Sequence, residues 1–395
     1  MKSASVCMVA YTDYIFDARV RREAETLAAN GFRVVCLKVK SGPQPRTYHL
    51  NGVEVRELNV LKYQGKSAFA YLVSYIRFLL AGTVHCLRFL LRGDLDVVHV
   101  HNLPDFLVLV GLVPRLAGRK VILDVHDSVP ETFVTKFSNS FIAWKLLCLE
   151  ERVSVFLANK VICVNHPQRD ALVARGIRKD KTFVSMNVPD PSIFNRSPQI
   201  SPPPRAEREL NVVYHGTMAE RLGVDLIIRA VAKVRQRVPC VRLHLWGRGD
   251  DLATFRGLIE DLGLSDRVDF RPEGVPLEEL PQQLRSMDIG VVGNRRNAAT
   301  DLMLPVKLME YVSLGIPVVA PRLRTIAHYF SDDMVAFYEP EDVDAFAESI
   351  YRVWGRPDLR ARQASRAFAF MRQFTWDRQG PEFVMFYRKL IGNHV

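Results

Sequence analysis

The sequence predicts an α/β fold of two doubly wound domains facing across a cleft, and three observations predict it. Short, doubly apolar strands alternate with helical stretches through both halves, the pattern of a parallel sheet covered on both faces. The alternation restarts after Ser201-Pro202-Pro203-Pro204-Arg205, where consecutive prolines favour extended, helix-free backbone. With 395 residues, 48% of them hydrophobic, the chain can fill two cores of ordinary size. The expected divisions are residues 1–198, residues 199–374, and a C-terminal helix at 375–395 packing back on the first domain.

In the first half, Val6–Ala10 reads as a strand and Asp17–Asn30 as a helix closed by Gly31 at the C′ position. Strands follow at Arg33–Val39 and, through the Gly/Pro-containing Ser41–Pro45, at Val53–Asn59. Asp96–His101, Lys120–Val125 and Lys160–Val164 continue the sheet. Between them lie two apolar-rich runs, Ser67–Ile76 and Phe78–Leu87, broken by Arg77 and followed by Arg88 and Arg92. Arginine at the centre of a membrane-spanning helix is costly. The runs therefore read as one or two helices whose basic-aromatic face rests on lipid, or as a core helix with snorkelling arginines.

The second half reads as strand Asn211–His215, helix Gly223–Gln236, strand Val241–Trp246, helix Ala253–Gly263 and strand Val268–Arg271. Asp288–Val292, the helix Pro305–Leu314, Pro317–Ala320 and a terminal helix Gly380–Ile391 complete it.

The net charge of +11 is unevenly spread: residues 1–195 hold 26 Lys+Arg against 17 Asp+Glu, the remainder 28 against 26. A basic first half suggests an anionic partner such as membrane headgroups. Nucleic acid is disfavoured, because the basic residues are dispersed and no helix-turn-helix, zinc-finger or RNP pattern occurs. The six cysteines form no CxxC pair, and several sit in apolar runs such as Val161-Ile162-Cys163-Val164. They read as reduced, in a cytoplasmic protein with no cleavable leader.

Chemistry concentrates in Asp301–Ala320. Pro305 suits the first turn of a helix, where its missing N–H costs nothing. The free amides of that turn, with Leu304, Pro305 and Val306 around them, make an anion site, and Lys307 adds a charge. Glu310, one turn on, is placed to accept from vicinal hydroxyls. A phosphate beside a diol describes the sugar-phosphate part of a nucleotide. Val213–Asp225 supplies a second phosphate loop: Gly216 and Thr217 let backbone approach, and Arg221 offers forked contacts. Trp246-Gly247-Arg248-Gly249 is a third glycine turn. His126 and Asp127 follow the strand Lys120–Val125, at the lip where such sheets bind ligands, or serve as a strand-end cap.

The segment Lys307–Ala320 resembles the "KLxEYxxxGxPVVA" donor signature of the retaining GT-B glycosyltransferase family 4, also called glycosyl transferases group 1. That resemblance implies two Rossmann-like domains, a nucleotide-sugar donor of the UDP- or GDP- type, and transfer with retention to a saccharide or lipid-linked acceptor. It implies that Glu310 binds the ribose hydroxyls. The family's second glutamate, eight positions earlier, is Leu302 here, so Asp301 is the candidate to grip donor-sugar hydroxyls instead. The family's basic residue before the second glycine is Leu222, which leaves Arg221 and Lys307 to stabilise the leaving diphosphate. Leu123–Glu131 resembles the "HD..PE" element of family acceptor domains and places His126 against the transferring sugar. Asp17, Arg19 and Arg22, in an opening like one branch of the family, are candidates for phosphate contacts or for helix salt bridges. His99 and His101 are expected to alternate faces and so not to share a site unless the strand ends between them, and no zinc site is expected because no third ligand is suitably spaced. No obvious DxD motif stands among these segments, so no metal or other cofactor is expected to be obligatory. Two rival readings stay open: a nucleotide-sugar epimerase of the same fold, which needs no acceptor, and a non-catalytic membrane- or nucleic-acid-binding protein.

Overall fold

The computed structural model describes residues 3–41, 46–63, 65, 67–136, 140–194, 209–249 and 251–392. The proline-rich linker at 201–205 and most of the Ser41–Pro45 stretch lie outside the described residues. The chain forms two compact units, Met1–Asn187 with Asp377–Val395, and Val188–Trp376. The divisions thus fall at Val188 and Asp377, against 199 and 375 in the reading from sequence.

The first unit is built on an eight-stranded sheet. Its strands are β1 (Ser5–Ala10), β2 (Arg33–Lys40), β3 (Thr47–Leu50), β4 (Val53–Leu61), β5 (Val97–His101), β6 (Lys120–Val125), β7 (Lys160–Cys163) and β8 (Thr182–Val184). They lie in the order β3-β4-β2-β1-β5-β6-β7-β8, all parallel except the short edge pair β3–β4. The strand order reverses between β1 and β5, whose paired residues include Val6 with Val97 and Ala10 with His101. The central strands carry β-branched residues on both faces because both are covered; β1, for example, is buried along its whole length. The helix Ala18–Ala29 starts where the Asp17 carboxylate accepts from the Val20 amide at 3.1 Å. Gly31, at φ +87°, lets the chain turn back into β2.

The two apolar runs of the first half form a single helix, Ala68–Leu91. It is long and apolar enough to cross a membrane by length and composition. Phe78, Cys86 and Phe89 nonetheless bury in the same core as β1, β5 and β6. A spanning position would strip that core, so the helix lies along the domain.

The second unit carries a six-stranded, wholly parallel sheet. Its strands are β9 (Leu210–His215), β10 (Val241–Trp246), β11 (Val268–Arg271), β12 (Ile289–Val291), β13 (Val318–Pro321) and β14 (Ala336–Tyr338). The order β11-β10-β9-β12-β13-β14 is the 3-2-1-4-5-6 order of a dinucleotide-binding fold when counted within the unit. Its switch point falls between β9 and β12.

From Asp377 onward the helix Trp376–Ile391 belongs to the first unit. Its Tyr387 hydroxyl lies 2.6 Å from His99 Nδ1, and Phe386 stacks on Phe183 at 4.5 Å. Both Tyr387 and His99 are fully buried, so the hydrogen bond has no water to replace it. Tyr387→Phe should therefore cost about 1–3 kcal/mol, read as a lower urea midpoint with an unchanged m-value.

Candidate functional site

At the switch point of the second unit, loops from three strands are laced together with no room for side chains. The Gly216 amide donates to the Trp246 carbonyl at 2.8 Å, and the Met218 amide to the Arg248 carbonyl at 2.7 Å. A Cβ on Gly247 would stand 1.7 Å from the Gly216 carbonyl oxygen, and one on Gly249 1.8 Å from that of Met218. Gly223, at φ +64°, faces Gly293 in the same way, with its Cβ position 2.0 Å from the Gly293 oxygen. Gly247 thus works by allowing the loops to approach one another, while the exposed Arg248 donates from Nε to the Glu273 carbonyl at 3.0 Å. Gly216, at φ +103°, is exposed at the mouth of this lacing, with Thr217 beside it.

The signature helix runs Val306–Ser313, with Pro305 at the N-cap rather than in the first turn. Proline offers no capping side chain, so the first amides are left for an outside acceptor. Tyr311 fixes the helix to the sheet: its hydroxyl accepts from the His215 amide at 3.2 Å and donates to the Val213 carbonyl at 3.3 Å. A side chain at Gly290 would strike the Tyr311 ring, so the glycine in β12 is what admits the ring.

That anchoring brings the predicted residues of this unit together. Lys307 Nζ lies over the Tyr214 ring, 3.6 Å from its centroid, and within 3.5 Å of where a Cβ on Gly216 would be. The Lys307 side chain keeps some surface, but its ammonium has lost most of its water. That loss pushes its pKa down to about 7; Glu310 pulls it up and the nearby Arg221 guanidinium pushes it down further. Among the described residues no carboxylate lies within ion-pair distance of it. Arg221 is exposed, on the turn Glu220–Leu222 that enters the helix Val224–Arg235. Glu310 Oε2 stands 3.2 Å from His215 Nε2, and that nitrogen is buried without a hydrogen bond. His215 was not singled out from the sequence; its place, last in a strand and directly before the phosphate-loop glycine, was the available signal.

Asp301 is placed otherwise. Its Oδ1 accepts from the Arg324 amide at 3.2 Å and its carbonyl from the Thr325 hydroxyl at 2.6 Å. It holds the start of the helix Arg324–Tyr329, and Leu302 behind it is buried.

In the first unit a buried ionic cluster lies under the carboxyl ends of β5 and β6. Arg19 grips Asp124 with two donors, Nε at 2.9 Å and a terminal nitrogen at 2.8 Å. It also donates to the Ser185 carbonyl at 2.8 Å and pairs with Glu23 at 3.1 Å. With Arg19 only 3% exposed, the ion-pair alternative holds for it and the phosphate contact does not: it pairs with Glu23 one turn on and is the counter-ion of Asp124. Asp17 serves as the helix cap, and Arg22 donates to Asn187 Oδ1 at 3.3 Å.

His99 and His101 both face this cluster, their ring centroids 4.1 Å apart. The expectation of opposite faces fails because residues two apart in a strand complete one full period and share a face. His101 Nδ1 and His126 Nε2 each approach Asp124 Oδ2, at 3.1 and 3.0 Å. Glu23, His99, His101 and Asp124 offer ligand atoms within 4.8 Å of one another, yet the guanidinium already supplies the cation that their charge calls for. Burial resists protonation of His126, but Asp124 more than offsets it and raises its pKa. Burial, with the Asp124 charge adding to it, brings Glu23 up to about 7 against the pull of Arg19. Asn102 fixes the following turn: its Oδ1 accepts from the His126 amide at 2.7 Å and its Nδ2 donates to the Asp127 carbonyl at 2.7 Å. With 22% of its side chain exposed, His126 is the member of the cluster that reaches the surface.

Family comparison agrees with both units. A model described as "Glycosyl transferases group 1" matches residues 209–356, and one described as "Glycosyl transferase 4-like domain" matches residues 17–187. The chain belongs to the group 1, GT4-type glycosyltransferases.

The GT-B fold of this family is also the fold of sucrose-phosphate synthase from Thermosynechococcus elongatus, with a TM-score of 0.79 at 20% identity over 99% of this chain and all of that one. Among curated proteins, the GDP-mannose-dependent alpha-(1-6)-phosphatidylinositol monomannoside mannosyltransferase of Mycolicibacterium smegmatis is 36% identical over 113 residues, 28% of this chain and 29% of that protein. One subunit of the phosphatidylinositol N-acetylglucosaminyltransferase of Arabidopsis thaliana is 25% identical over 268 residues, 67% of this chain. The match spans 56% of that plant protein, so less than two thirds of either relative is covered.

Removing the guanidinium from the first unit would leave Asp124 charged and dry. Arg19→Met should cost about 3–5 kcal/mol, measured by urea unfolding, and more than Arg22→Met at the half-buried position on the same helix.

Proposed function

We propose that this chain is a retaining glycosyltransferase that moves a sugar from a UDP- or GDP-sugar to a saccharide or lipid-linked acceptor at an anionic membrane surface. The observation that carries the reading is the placement of Lys307 at an uncapped helix start, beside Gly216, with Glu310 one turn further on. A diphosphate would take the first amides of Val306–Ser313, the Lys307 ammonium and Arg221, all of which stabilise charge that builds up on the leaving group. Glu310, aligned beside His215, would accept from the two ribose hydroxyls. Retention belongs to the family resemblance and is part of the proposal. Asp301 is retained as the donor-sugar contact only through its second carboxylate oxygen, since Oδ1 is bonded to the Arg324 amide. His126, the exposed member of its cluster, is the acceptor-side candidate, with Asp127 beside it. No metal is required by this reading, because the positive charge is supplied by side chains and helix amides.

The two curated relatives support a lipid-linked acceptor, since phosphatidylinositol figures in both names. The basic first half and its reduced cysteines support a cytoplasmic protein lying peripherally on the inner face of a plasma membrane. Surface polysaccharide or glycolipid synthesis is the setting that joins these features.

Thermal shift with UDP-, GDP-, ADP- and CMP-sugars tests the donor. A UDP- or GDP-sugar should raise the melting temperature, and Glu310→Ala should weaken its binding about tenfold. Equal binding by the variant would remove Glu310 from the site. The chosen donor should remain unchanged when incubated alone; an isomerised sugar would point to an epimerase instead.

Binding should also depend on pH through Lys307. Its free-state pKa of about 7 leaves it charged below pH 7 and increasingly neutral above. Bound phosphates favour the charged form, so complex formation takes up a proton above pH 7 and affinity falls as pH rises. Titration calorimetry from pH 6 to 9 in two buffers of different ionisation enthalpy would read this uptake, and Lys307→Met should abolish it.

A further inference from the structure

The first unit carries an apolar face that its own fold leaves uncovered. On the helix Ala68–Leu91, Phe69, Leu72, Ile76, Leu80 and Val84 are exposed at intervals of three and four, forming one stripe. On the helix Phe141–Leu157, Ile142, Leu146, Leu149, Val153 and Phe156 repeat the pattern. The segment Asp105–Gly111 packs against both helices, and the short helix Leu112–Leu116 that follows it packs against the first and exposes Leu112, Val113 and Leu116. An apolar surface of this kind marks an interaction site.

The charges beside it select the partner. Arg77 and Arg88 on the first helix and Lys145 and Arg152 on the second are exposed, and the first helix has no acidic residue at all. The acids of the second helix are withdrawn: Glu151 is buried against Arg175 at 2.7 Å, and Glu150 is partly buried and accepts from the Ser154 hydroxyl at 2.9 Å. Apolar stripes bordered by exposed basic residues match a bilayer surface with anionic headgroups. A face built for a folded protein partner would be expected to mix both signs of charge at its border, and these two helices expose only one.

A cavity opens among these same elements, with a volume of about 540 Å³. Phe69, Leu72, Tyr75, Phe106, Phe133 and Leu147 make most of its wall. Phe69 and Leu72 belong both to this wall and to the exposed stripe, so the cavity is continuous with the surface that would lie on lipid. A pocket of this size holds a small ligand. Its lining is mostly apolar, and Glu150 is the one charged residue in it.

We propose that this cavity receives a hydrocarbon chain of the membrane-embedded acceptor lipid while the two-helix face rests among anionic headgroups. The inference deepens the transferase reading and rests on it for the identity of the lipid as acceptor. Lipid chains are water-insoluble, so lifting one into a protein pocket exchanges one apolar medium for another and costs little. The gain is position: a chain held at this pocket limits where its headgroup can travel.

The test uses the full chain with vesicles of phosphatidylglycerol and phosphatidylcholine containing a phospholipid with a diazirine at the end of one acyl chain. Irradiation followed by peptide mapping should place cross-links on Phe106 or Phe133, inside the cavity. Leu147→Trp and, separately, Thr132→Phe fill the space; each should lower those cross-links by about fivefold while vesicle co-sedimentation changes by less than about twofold. A melting temperature near that of the parent confirms that each variant folds. Cross-links confined to Ile76, Leu80 and Val153, with none in the cavity, would overturn the chain-binding site. Failure of the parent protein to co-sediment would overturn the membrane face as well. The nucleotide-sugar melting shift is read on the same preparation. Labelling without that shift would leave the lipid site standing and the transferase reading in error; the shift without labelling would do the reverse.

Discussion

A lysine ammonium partly withdrawn from water, and given no carboxylate in contact, is half of an ion pair, and the second unit presents that condition at Lys307. Desolvation brings its pKa to about 7, close to the point at which it would give up its proton. What holds it there is neutral: the face of Tyr214, the lacing of glycine loops and a helix whose start has no side-chain cap. Glu310 is near enough to be felt by Lys307 but stands beside His215, so the two side chains of opposite sign are kept out of contact.

The glycines around this lysine act through space rather than as a motif. Gly247 and Gly249 allow the loops after β9 and β10 to hydrogen-bond backbone to backbone, and Gly223 and Gly293 let the loops after β9 and β12 meet as closely. The result is a rigid rim at the switch point, on which Gly216 is exposed at positive φ.

The first unit solves a different electrostatic problem. Asp124 is a carboxylate at the end of a fully buried strand, and its charge is tolerated because Arg19, His101 and His126 surround it. Arg19, His101 and Asp124 are almost wholly buried, so the cluster is a foundation for the surface turn at His126 and Asp127 rather than a ligand site in its own right. The same unit turns its apolar surplus outward, on two striped helices, instead of inward on a larger core.

Much was legible in the sequence where local chemistry is decisive. The strands Lys120–Val125, Val241–Trp246 and Val268–Arg271 end where the pattern of apolar residues ends, and the signature helix differs from the expected one by a single residue at each end. Pro305, Lys307, Glu310 and Gly315 are close neighbours in the chain, so helix geometry alone puts them in order. The sequence alone also sufficed for the alternation that implies two parallel sheets, and for a basic first half. Only the tertiary structure decided between a phosphate contact and an ion pair for Arg19, by bringing it to Asp124, 105 residues away. It likewise brought His215 to Glu310, set His99 against Tyr387 from the far end of the chain, and left Asp301 bonded to the Arg324 amide. Periodicity reports which face of an element is apolar. It does not report which element lies across from that face, because that choice is made by the packing of residues distant in sequence.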